Sequence, residues 1–160
     1  MIKNSKRSDR DLAKVLKISQ PTVTRSRKVL EKDAIAQYTV VPKLTYLDLD
    51  ILVFTFARTK ELVHPLWDKG GEWAKKQPNI VFVGTGLGAE ADAMMVSIHK
   101  DYADFAKFYQ IFRRDWGKYL EGFRTFVISL KGSVQLKSFS FNYLVEACKK
   151  EERKQLAATS

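Results

Sequence analysis

A single cysteine, Cys148, stands in the 160 residues. No internal disulfide can form, and that usage fits a reducing cytoplasm. Histidine is almost as scarce: His64 and His99 are far apart and have no cysteine at ligand spacing, so no metal site is expected. No apolar run approaches the roughly 18 residues of a membrane helix, so no membrane span is expected. No cationic-then-apolar leader stands ahead of the first element, and secretion is not expected either. Gly-x-Ser-x-Gly, a phosphate-binding Gly-Lys-Thr and a paired-acid helix are all missing, so neither catalytic residues nor a cofactor are expected. The hydrophobic residues, 45% of the chain, suffice for the cores of one or two small domains.

Charge is plentiful and uneven. The net charge is +10, and residues 1–42 hold ten basic against four acidic residues, a balance of +6. Residues 43–130 hold twelve against eleven, and residues 131–160 hold six against three. Lysine and arginine concentrated on one lobe supply the phosphate neutralisation on which DNA affinity rests. No aromatic-studded strand accompanies the cluster, which argues against a single-strand reader.

Within that lobe, Ser8-Asp9-Arg10-Asp11 has the spacing of a capping box, with Asp11 at the third helical position. Leu12, Val15 and Leu16 continue it as an apolar stripe, and Ala13 leaves room for a second helix to cross. After a three-residue turn, Lys17-Ile18-Ser19, a second helix is predicted with Ser19 as its cap and Pro21 in its first turn. At 100° per residue Val23 and Leu30 point one way, while Pro21, Arg25, Lys28 and Lys32 point nearly the opposite way. Two short helices with a tight turn, the second one basic, make a helix-turn-helix, whose second helix enters the major groove of DNA. Asp33-Ala34-Ile35 closes the pair, and the strand-like Gln37-Tyr38-Thr39-Val40-Val41 before Pro42 is predicted to be a wing.

Residues 8–42 resemble the winged helix-turn-helix of the Lrp/AsnC (feast/famine) transcription regulators. The resemblance rests on Asp11-Leu12-Ala13, Ile18-Ser19, Thr22-Val23, Leu30-Glu31 and Ile35. It implies a DNA-binding face of Ser19, Gln20, Pro21, Thr22, Thr24, Arg25, Lys28 and Lys32. The chain departs from the family at Lys17 and Asp33, where glycines are usual, and at Arg27, where an apolar side chain is common. The family also carries a helix ahead of this pair, where only Met1 to Arg7 stand here. A longer gene product, or a lobe lacking one wall of its core, is the expectation.

Beyond a connector at 43–50 the pattern changes. Ile51 to Ala57 reads as a strand, Leu62 to Gln77 as a helix weakened at Gly70-Gly71, and Ile80 to Val83 as a strand. Gly84 to Glu90 reads as a glycine-rich loop and Ala91 to His99 as a strand. Asp101 to Trp116 is predicted helical from Phe105, Phe108, Tyr109, Phe112 and Trp116, and Phe123 to Leu130 is the last strand. The predicted fold class is α+β: a small winged helix-turn-helix followed by a ferredoxin-like βαββαβ sheet domain over 51–131. A C-terminal extension over 132–160 is predicted to add a strand at Val134 to Phe141 and a helix at Asn142 to Leu156.

The βαββαβ order is similar to the family's second half, the RAM domain, so the resemblance spans residues 8–131. It implies a homodimer or higher homo-oligomer formed by sheets packed face to face, and amino-acid-like effectors bound at subunit interfaces near the loop between the second and third strands. In this chain that segment supplies Gly84, Gly86, Leu87, Gly88, Glu90 and Asp92. Glycines at alternate positions offer bare N–H groups to an anion, and Glu90 and Asp92 could hold an ammonium group. The same stretch also fits a Gly-x-Gly-x-x-Ala dinucleotide fingerprint, but a strand follows where that site needs a helix, so no Rossmann site is expected.

Three functions are compatible with these features. The first is a sequence-specific regulator binding double-stranded DNA as a dimer. The second is an effector-binding module without specific DNA binding. A small dimeric ferredoxin-like enzyme is the third, and the basic helix pair and the lack of an acid/base pair argue against it.

Overall fold

The computed structural model describes residues 7–132 apart from 36, 37, 39 and 61–63. The chain divides into two compact units with the boundary between Val41 and Pro42.

The first unit holds α1 (Asp9–Leu16) and α2 (Gln20–Asp33). Ser8 caps α1: its Oγ accepts from the Asp11 N–H at 3.2 Å and lies 2.6 Å from Asp11 Oδ2. That contact holds the Asp11 carboxyl below its ordinary value. Ala13 and Val23 are buried, as the small crossing residue and the apolar back of α2 require. The expected stripe is only partly enclosed. Val15 and Leu16 remain 62% and 57% exposed, and Ile18 and Leu30 are exposed too. Lys17 ends α1 with φ 54°, the left-handed conformation that a glycine would adopt without strain. Asp33 differs from expectation: it is the last residue of α2, and Ala34 follows at φ −129°, so no left-handed residue is needed there. Of the expected wing, Gln37 and Thr39 lie outside the described residues, and the described Tyr38, Val40 and Val41 belong to no strand. The predicted C-terminal strand and helix, Val134 to Leu156, also lie outside them.

The second unit opens with a short 3-10 turn, Leu44–Leu47, in the expected connector. Then come β1 (Ile51–Thr59), α3 (His64–Lys75), β2 (Ile80–Gly88), β3 (Ala91–His99), α4 (Tyr102–Trp116) and β4 (Leu120–Ser129). The sheet is antiparallel in the order β2-β3-β1-β4, the ferredoxin-like arrangement. The fold is α+β.

Alternation decides the two faces of the sheet. Val53, Thr55, Ala57 and Thr59 of β1 are buried, and Ala57 joins Met95 of β3, Leu66 of α3 and Phe108, Phe112 and Trp116 of α4 in one core. Both helices therefore cover the same face. Aromatic edges lock it: Trp73 of α3 stands 5.9 Å from both Phe112 and Trp116, and Phe112 meets Phe123 of β4 edge-on at 5.1 Å. The opposite face carries Leu52, Phe54 and Phe56, in register with Ile98, Val96 and Met94 on one side and with Ile128, Phe126 and Arg124 on the other. Phe82 and Phe126 are exposed.

The glycine-rich segment corrects the sequence reading. Gly84, Gly86, Leu87 and Gly88 belong to β2, not to a loop. β2 is an edge strand, and its register shifts between Thr85 and Gly88, so side chains are dispensable there. The connection is a two-residue turn in which Ala89 and Glu90 have φ 51° and 55°, the type I′ pattern that matches strand twist.

Candidate nucleic-acid interface and glycine-rich edge

α2 is prepared for its exposure by its cap. Ser19 Oγ accepts from the Thr22 N–H at 3.3 Å and lies 2.8 Å from Thr22 Oγ1, while Pro21 removes one N–H that would have no partner in the first turn. Ser19, Gln20, Pro21, Thr22, Arg25, Lys28 and Lys32 are all exposed. Gln20, Pro21, Thr24, Arg25 and Lys28 line one concavity; of the face drawn from the helical wheel, Lys32 is not part of it. No ion pair to a described residue occupies Arg25, Lys28 or Lys32. The remaining candidate, Thr24, is half-buried, and its hydroxyl is 2.6 Å from Asp9 Oδ2 and 3.1 Å from the Gln20 carbonyl. Thr24 therefore braces α2 against α1.

Sequence reasoning missed the partner in that brace. Asp9, read only as a first-turn acid, also pairs with Arg27 at 2.8 Å, and Arg27 donates to the Arg7 carbonyl at 2.9 Å. The signal was available: an arginine where an apolar residue is usual requires a buried-side acceptor.

At the glycine-rich edge the two acids part company. Asp92 is buried, and its carboxylate accepts from the Thr59 N–H at 3.1 and 3.0 Å and from the Thr59 hydroxyl at 2.8 Å. It fastens the start of β3 to the end of β1. Glu90 stands outside on the turn, where it pairs with Arg124 of β4. Leu87 is 95% exposed beside it, and Gly88 at φ +142° is held in a conformation that side chains avoid.

His99 is fully buried against Phe105 and Phe108, with Nε2 2.9 Å from Ser97 Oγ and Nδ1 3.4 Å from Asp104. Burial pushes its pKa below the ordinary value, opposed by the Asp104 carboxylate. Among the described residues no three His, Cys, Asp or Glu side chains gather at metal-ligand spacing, and no helix is long and apolar enough to cross a membrane.

No protein-family model matches the chain, and no curated protein matches it. Solved structures do. An AsnC family transcriptional regulator from Agrobacterium tumefaciens is 19% identical with a TM-score of 0.72, covering 88% of each chain. LrpC of Bacillus subtilis is 25% identical with a TM-score of 0.65, over 84% of this chain and 89% of that one. The fold is that of the Lrp/AsnC regulators. A transcriptional regulator from Neisseria meningitidis, solved as its L-Met complex, is 15% identical with a TM-score of 0.67, over 89% of this chain and 90% of that one. The structural neighbours are thus transcriptional regulators, one of them holding an amino acid.

Proposed function

We propose that the chain is a sequence-specific DNA-binding transcription regulator of the Lrp/AsnC type, acting in the cytoplasm as a homodimer or higher homo-oligomer. The observation that carries this reading is the open, shared surface of Gln20, Pro21, Arg25 and Lys28 on a helix capped by Ser19, in the lobe that holds most of the excess charge. A capped helix presenting cations and small polar groups fits the major groove, with Arg25 suited to a guanine edge and Lys28 and Lys32 to phosphates. The apolar sheet face that carries Phe54, Phe82 and Phe126 supports pairing of two subunits.

An amino-acid-like effector is assigned to the glycine-rich hairpin, with Gly84, Gly86, Leu87 and Gly88 supplying backbone groups for a carboxylate. Glu90 is the acid placed to receive an ammonium group, while Asp92 positions the hairpin through Thr59. Selection of bound genomic fragments, followed by anisotropy titrations, tests the DNA reading. Arg25→Ala is expected to lose more on a selected site than on random duplex, and Lys32→Ala to weaken both alike. Failure to enrich any fragment would leave only the effector-module reading, which the exposed Leu16, Ile18 and Leu30 of the helix pair favour.

A further inference from the structure

Two lysines converge on one phenol at the short turn Gly117–Tyr119 between α4 and β4. Lys69 of α3 donates from Nζ to the Tyr119 hydroxyl at 2.8 Å, and its ammonium lies 4.8 Å from the ring centre. The Lys118 ammonium lies 4.9 Å from the same centre. Tyr119 itself is anchored. Its half-buried ring packs 5.7 Å from Trp116 at the edge of the helix-side core, and its carbonyl accepts from the Lys60 N–H at 3.0 Å. No carboxylate among the described residues pairs with Lys69 or Lys118. Glu72, Asp115 and Glu121, each three residues from one of them, are taken up by Lys75, Arg114 and Arg58. Two ammonium groups held against one phenol repel each other, and the negative face of the ring offsets only part of that. Hydrogen bonding from Lys69, then Lys118, also holds the phenol below the ordinary tyrosine pKa, which makes it a stronger donor. Its oxygen accepts from Lys69, while its own proton goes to no described residue.

We propose that Lys69, Lys118 and Tyr119 hold the phosphate group of a small phosphorylated molecule. Charge selects among the oxyanions. A carboxylate brings one negative charge, whereas a phosphate monoester brings about 1.5–2 at pH 7 and three acceptor oxygens, one for each of the three side chains. A nucleic-acid backbone is the weaker match, because residues 43–130 hold twelve basic against eleven acidic residues and so present little long-range attraction to a polyanion. The site shares an end of the sheet with the glycine-rich hairpin, since Asp92 holds Thr59 and Lys60 follows it, but it uses none of the hairpin's residues.

Inorganic phosphate is the probe, titrated into the full chain against acetate at matched ionic strength, with the Tyr119 ring followed by proton–carbon correlation spectra. Phosphate is expected to move the Tyr119 signals to saturation and to bind about tenfold more tightly than acetate, the scale of one added charge-assisted hydrogen bond. Lys69→Met together with Lys118→Met should abolish that response without lowering Tm, because both side chains are exposed. Duplex titrations supply the other arm: the same double variant should keep the salt slope of the parent. A smaller slope would assign the two lysines to the DNA backbone and overturn the small-molecule reading. The proposal is also overturned if Tyr119 responds no more to phosphate than to acetate, or if the double variant binds phosphate as the parent does. The phosphate titration contains no DNA, so its failure and that of the regulator reading are distinguishable.

Discussion

Arg27 Nε lies 2.8 Å from Asp9 Oδ1, and the two side chains are only 20% and 21% exposed. The pair joins the middle of α2 to the first turn of α1, and the Thr24 hydroxyl shares the same carboxylate. A polar clamp thus stands where the Lrp/AsnC pattern usually places an apolar contact. It keeps α2 fixed while Arg25 and Lys28 stay free on the other side.

Removing one partner of this clamp strands the other in a half-buried setting. Arg27→Ala and Asp9→Ala are each expected to destabilise the helix pair by about 1–3 kcal/mol, whereas Asp9→Ala with Arg27→Leu should recover most of the loss. Chemical denaturation of the four proteins checks this. Additive losses with no recovery would mean the ion pair contributes nothing.

Left-handed residues without glycine mark a second set of sites. Lys17 at φ 54° and Glu90 at φ 55° carry the strain of a Cβ in that region. Lys17→Gly and Glu90→Gly should each stabilise by about 0.5–1 kcal/mol, once the extra freedom of the unfolded chain is subtracted. A lowered Tm for either would show the strain to be absent.

How far these features can be read from sequence depends on what each element advertises. β3 and α4 are legible: Ala91 to His99 is an apolar stretch read as a strand, and the aromatics from Phe105 to Trp116 repeat at helical spacing. β2 is not. Gly84, Gly86 and Gly88 imitate a loop because an edge strand with a register shift needs no side chains to pack, while the true turn, Ala89-Glu90, carries no glycine. The front of α2 could be drawn from a helical wheel, since exposure there follows from charge. The inward turn of Thr24 and the role of Asp9 could not, because they depend on how the two helices cross. Asp92 and Glu90 looked equivalent in sequence. Only strand pairing distinguishes the residue bonded to Thr59 from the one on the turn.

Those two acids should respond differently to substitution. Asp92→Ala leaves the Thr59 N–H and hydroxyl without their acceptor and is expected to cost about 2–3 kcal/mol in the absence of any effector. Glu90→Gln should leave that stability nearly unchanged and remove the Tm increase given by an amino-acid effector. Thermal melts with and without a panel of amino acids distinguish them. A full effector shift in Glu90→Gln would place that pocket elsewhere.

His99 gives the fold a pH dependence of defined sign. Its pKa is lowered in the folded state chiefly by burial, with Asp104 opposing, so the unfolded chain takes up a proton first on acidification. The stability it contributes is complete above the unfolded value of about 6.5 and is lost as pH falls through the folded value. Tm should therefore fall as pH drops below about 6.5, and His99→Gln should flatten that slope. An imidazole titrating at or above about 6.5 in the folded protein would contradict the assignment.

The most direct measurement of the central claim is the salt dependence of duplex binding. A dimer presenting Lys28 and Lys32 to phosphates twice should give a log–log slope of about −4, at about −0.9 for each phosphate neutralised. Replacing Lys28 by alanine should bring the slope to about −2, and replacing Lys32 as well should bring it near zero. A slope near zero in the parent protein, or one that these substitutions leave unchanged, would show that the front of α2 does not meet DNA.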